Sequence, residues 1–65
     1  MSYSKLRGAI RAAYGTQRAF AHAMGMDKST LSHKLCGRTE WTHGEIAKAC
    51  ELLDVPLADA YIYFF

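Results

Sequence analysis

Between Asp27 and Gly37 the chain carries Lys28, Ser29, Ser32 and His33, an ammonium, two hydroxyls and an imidazole. All of them can exchange hydrogen bonds with groups on another molecule. None stands beside the base and orienting group that would make a nucleophile. Their chemistry is recognition. On a helical wheel at about 100° per residue, Leu31 and Leu35 face inward, Ser29, His33 and Cys36 point most nearly away, and Thr30 and Ser32 flank them. The outward face is short and polar, with Lys28 and Lys34 at its borders. Such a face fits the major groove of duplex DNA, where lysine, serine and histidine meet base-edge donors and acceptors. Lys28 stands in the first turn, where a cation opposes the helix dipole, so it is not there to stabilise the helix.

Other chemistries find less support. His22, His33, His43, Cys36 and Cys50 follow no common zinc spacing. No glycine-rich phosphate loop and no paired carboxylates occur. The expectation is a protein that is not an enzyme, with no metal, cofactor or small-molecule substrate. Two cysteines cannot build the disulfide framework of a small secreted fold, which suggests reduced thiols in the cytoplasm. No apolar run approaches the ~18 residues of a membrane span, and the first residues lack the apolar core of a secretory signal. A chain of 65 residues allows one small domain, with no room for a separate ligand-sensing one.

The net charge of +2 hides a division. Residues 1–38 hold seven basic groups against one acid, a net +6, whereas residues 39–65 hold one base against five acids, a net −4. A basic half this concentrated suggests a footprint for a polyanion. The same residues would also serve simply to solvate helices, and charge alone does not choose between the two.

The elements that must position these groups are set by glycine, proline and capping residues. Ser4 is expected to cap a first helix over 5–14, with Leu6, Ile10, Ala13 and Tyr14 at helical spacing. Gly15 ends it and Thr16 caps a second helix, 17–24, with Phe20, Ala21 and Met24 on one side. Gly25 closes that helix, and Asp27 caps a third over 28–36. The turn of about three residues between them forces a sharp crossing. Ala21 faces that crossing and Leu31 anchors the third helix on the core. Thr42 and Glu45 match a capping box for a fourth helix, 43–53, with Trp41 and Ile46 spaced as a hydrophobic staple. Its inward side is read as Ile46, Ala47, Cys50 and Leu53. Pro56 opens a short fifth helix over 57–62. The tail from Tyr61 to Phe65 is β-prone and aromatic, suiting a helix end, a strand or an arm. The plan is all-α.

Residues 17–37 resemble the Cro/repressor-type helix-turn-helix family of phage and bacterial regulators, a lambda-repressor-like fold of five helices. The resemblance covers nearly the whole chain and is nearest to small prophage-type regulators. It implies that Lys28, Ser29, Ser32 and His33 read bases, that Gln17 anchors a phosphate with Thr16, Arg18 and Lys34, and that Arg38 and Thr39 form a second backbone-contacting segment. The family commonly has an aliphatic residue where this chain has Lys34, so a slight rotation of the third helix is expected. The implied function is a sequence-specific repressor occupying a double-stranded DNA operator. Domains of this type read two half-sites as dimers. A homodimer is therefore expected, with Tyr61, Ile62, Tyr63, Phe64 and Phe65 contributing. The competing class is a helical protein-interaction or antitoxin-like module that uses the same tail.

Overall fold

In the computed structural model, which describes residues 3–65, helices α1 (Ser4–Tyr14), α2 (Gln17–Met24), α3 (Lys28–Leu35) and α4 (His43–Leu52) follow in order. A 3₁₀ turn over Leu57–Asp59 then runs into α5 (Ala60–Phe64), and the described residues contain no strand. The capping residues account for most of these boundaries. Thr16 accepts the Ala19 N–H at 3.1 Å and Asp27 accepts the Thr30 N–H at 2.8 Å. The Thr42–Glu45 capping box is reciprocal, with distances of 3.1 and 2.9 Å. Ser4 departs from expectation. It is the first helical residue, preceded by Tyr3 in the left-handed region without a side-chain cap.

Gly25 sits at φ +79° between α2 and α3. A Cβ there would be strained by the backbone conformation, although it would meet the Lys48 ammonium only at an ordinary contact distance of 3.9 Å. This left-handed turn lets α3 pack back across α2 within three residues. α2 also packs on α1 and α4, and α5 covers α1 and α4. Phe20, Leu6, Ile10, Leu31 and Leu35 are the largest fully buried side chains and form the centre. On α4 the third inward residue is Ala49; Ala47 is exposed, because Ile46 and Cys50 set the buried stripe one position away from it.

The tail is helical. Phe64 is buried and meets the Trp41 ring edge to face, with centroids 4.9 Å apart. Tyr63 is half-buried, with the Lys5 ammonium 5.4 Å from its ring centroid. Of the five tail residues expected at a dimer interface, Phe64 is therefore spent on closing the core. Tyr61 and Phe65 stack on each other outside it, 75% and 61% exposed. Ile62 and, just before the tail, Leu57 are exposed as well.

This division predicts a sharp contrast between neighbours. Phe64→Ala should cost about 3 kcal/mol, a large aromatic lost from a core. Phe65→Ala should cost less than about 0.5 kcal/mol, as for a surface substitution. Urea unfolding followed by circular dichroism checks both values.

Candidate nucleic-acid interface

The azimuth of α3 decides which of its side chains face outward. Leu31 and Leu35 are buried, and Lys28, Ser29, Thr30, His33 and Cys36 are exposed, as the wheel expects. Ser32 is half-buried on the flank. Two long side chains tie the helix in place. Arg7 of α1 donates to the Leu35 carbonyl at 2.9 Å, satisfying one of the open acceptors at the end of α3. Lys34 supplies the other tie.

Lys34 is expected at a phosphate, and the structure corrects this. Its side chain is turned inward, leaving the residue only 7% exposed. The ammonium lies 2.9 Å from Glu45 Oε1, donates to the Glu40 carbonyl at 2.9 Å and stands 6.0 Å from the Trp41 ring centroid. On the wheel Lys34 lies beside Leu31, so α3 carries it toward the core whatever its chemistry. The family's aliphatic position keeps its inward direction here, and Glu45 compensates the charge. This contact withdraws one cation from the basic half of the surface.

The remaining expected contacts fall into two groups. Thr16, Gln17 and Lys28 line one open cleft of about 470 Å³, together with Arg7, Ile10, Arg11 and Gly15. Arg18 is exposed in the first turn of α2. Arg38 and Thr39 are exposed on the loop after α3. Thr39, however, lines a second cleft of about 430 Å³ with Gly37, Glu40, Trp41, Phe64 and Phe65, so this loop borders the aromatic end of the molecule. The sequence gives no hint of the role of Arg7, since a bond spanning 28 positions leaves no local signature. It also leaves Arg11 undecided. Arg11 shares a cleft with Gln17 because α1 and α2 pack together across Gly15.

Two carboxylates are tuned by their partners. Hydrogen bonds from the Thr30 side chain and backbone hold the Asp27 carboxyl below its ordinary value. The Thr42 N–H first, and then Lys34, hold the Glu45 carboxyl below its ordinary 4.5. Burial pushes the Cys50 thiol up. Among the described residues no group of three His, Cys, Asp or Glu stands close enough to hold a metal. No helix of the described residues is long and apolar enough to cross a membrane.

The Glu45 shift has a definite sign. A depressed folded-state value gives stability that is present above about pH 4.5 and lost as acid protonates the group. Thermal melts from pH 7 to pH 3 should therefore fall on the acid side, and Glu45→Gln should flatten that fall. Lys34→Ala should cost about 2 kcal/mol at neutral pH, below the range for a fully buried pair because Glu45 retains some solvent.

The family described as a protein of unknown function (DUF739) matches residues 1–65. No curated protein matches the chain. Among solved structures, it is similar to the solution structure of the modulator of repression (MOR) of the temperate bacteriophage TP901-1 from Lactococcus lactis. The two share 42% identity over 98% of this chain and 86% of that one, with a TM-score of 0.88. A match along the full length, on a shared five-helix architecture, makes the chain a member of the DUF739 family.

Proposed function

We propose that the protein is a sequence-specific, double-stranded-DNA-binding regulator of phage gene expression, working without catalysis or a cofactor. The observation that carries this reading is the outer face of α3. Ser29, Thr30 and His33 are exposed together between Lys28 and Arg38, while Leu31, Lys34 and Leu35 are turned inward. A short polar helix face bordered by cations is what the major groove accepts. In this reading α2 and α3 form a Cro-like helix-turn-helix, and α3 lies in the groove of an operator half-site. The likeness to a phage modulator of repression supports a role in repression control. The cytoplasm of the host cell is where such a regulator would work.

One recognition helix gives too little specificity alone, so the reading includes a second copy. The exposed Leu57, Tyr61, Ile62 and Phe65 are the surface that would join the two. That same surface favours a second reading, a module that acts on another protein through its aromatic end. Modulation of repression, the role carried in the name of the similar phage protein, suits either action.

Selection from random duplexes separates them. The DNA reading expects an enriched motif, and affinity that falls with salt at a log–log slope of about −0.9 per neutralised phosphate. Ser29→Ala and His33→Ala should each cost about 1–3 kcal/mol and relax one base position. Arg18→Ala should make the slope shallower by about 1. Lys34→Met, with its ammonium already committed to Glu45, should leave the slope unchanged in the folded protein. Absence of a motif together with salt-insensitive binding would reject the DNA reading. Tyr61→Ser with Phe65→Ser should abolish a dimer seen by sedimentation without unfolding the chain.

A further inference from the structure

The two lysines of α3 live in opposite circumstances. Lys34 has its partners inside the chain. Lys28 has no hydrogen bond or ion pair among the described residues, and neither does the guanidinium of Arg11. Both unpaired cations nevertheless line the same cleft, formed where α1, the start of α2 and the start of α3 meet. Arg7 lines it too, with its guanidinium bonded to the Leu35 carbonyl, so the cleft is cationic and an anion seated in it would be favoured by their charge. Gln17 and Thr16 share the cleft. The Thr16 hydroxyl is occupied by the Ala19 N–H, so the N–H groups of Gln17 and Arg18 remain as donors without helical acceptors. Arginine, lysine, a side-chain amide and free backbone N–H groups make a donor set suited to a tetrahedral oxyanion.

We propose that this cleft seats one phosphate of the DNA backbone between Arg11, Lys28 and Gln17, so that Lys28 grips the backbone and does not read a base. The inference rests on the DNA-binding reading above and refines it. A phosphodiester is favoured over a free phosphate because Lys28 adjoins Ser29 on the exposed face of α3. A backbone phosphate held there sets the register in which the neighbouring side chains meet the bases. Base reading then falls to Ser29, Ser32 and His33. It also accounts for a cation in the first turn of α3, where the helix dipole disfavours it.

The test compares wild type with Lys28→Ala, Lys28→Arg, Arg11→Ala and the double alanine variant, with Ser29→Ala as a base-contact control. Each goes through selection from random duplexes and a titration over a salt series. Lys28→Ala should enrich the wild-type motif, weaken all duplexes by a similar factor and make the salt slope shallower by up to about 0.9. Arg11→Ala should do the same, and Lys28→Arg should keep the affinity. Because the two cations serve one phosphate, the double variant should lose less than the product of the single losses. The Tm of Lys28→Ala should equal or exceed that of wild type, which separates lost binding from lost fold.

A Lys28→Ala motif that loses information at one base position, with the slope unchanged, assigns Lys28 to a base and overturns the proposal. Fully multiplicative losses in the double variant overturn it too, since they describe two separate contacts. A wild type that enriches no motif and ignores salt sinks the DNA reading itself and the seat with it, a result distinct from the failure of Lys28 alone.

Discussion

The ammonium of Lys34 is the point on which the arrangement of this small protein turns. Removing a charge from water costs several kcal/mol unless partners replace the lost hydration. Here the Glu45 carboxylate, the Glu40 carbonyl and the Trp41 face provide them. Each partner belongs to a different structural task. Glu45 also caps the start of α4, Glu40 lies on the loop from α3, and Trp41 meets Phe64 of α5. One side chain thus couples the azimuth of α3 to the start of α4 and the closure of the tail. With few large residues at the centre, such a coupling weighs heavily in a domain of this size.

Fixing that azimuth decides the chemistry of the outer surface. Were α3 rotated to free Lys34, Leu31 beside it would also swing toward water. Arg7 adds a second tie to α3 by donating to the Leu35 carbonyl. The outward strip then consists of Lys28, Ser29, Thr30, His33 and Cys36. The basic half of the chain loses one surface charge to the interior; of its remaining cations Arg7, Arg11 and Lys28 line the adjoining cleft, whereas Lys5 lies against Tyr63 of the tail.

Much of this can be read in the sequence because it depends on local rules. Thr16, Asp27 and the Thr42–Glu45 pair name the helix starts through hydrogen bonds closed within three residues. The inward stripe of α3 follows from Leu31 and Leu35 alone. What the sequence hides depends on distant partners. A lysine beside an inward leucine looks like a surface group until Glu45, eleven positions on, is seen to meet it. The β-prone tail is a helix because Phe64 gains more by reaching Trp41 than its local preference costs. Ser4 has the chemistry of a cap, and the structure starts the helix on it.

Side chains that break local rules separate into two kinds in this chain. Lys34 breaks the rule against burying a charge, and the fold itself compensates it, so its presence is explained without any other molecule. Lys28 breaks the rule against a cation at a helix start, and nothing among the described residues answers it. Tyr61, Ile62 and Phe65 likewise leave apolar area in water that the core does not use. A residue whose cost is met inside the fold tells about folding. A residue whose cost is met by nothing inside it turns outward, as the ammonium at the head of α3 and the exposed apolar side chains of α5 do. These two demands arise on different helices, joined through the loop that carries Arg38 and Thr39, where Thr39 already shares a cleft with Phe65. Whatever covers the aromatic end therefore lies next to a segment that also borders the polar face of α3, and the two surfaces cannot be wholly independent.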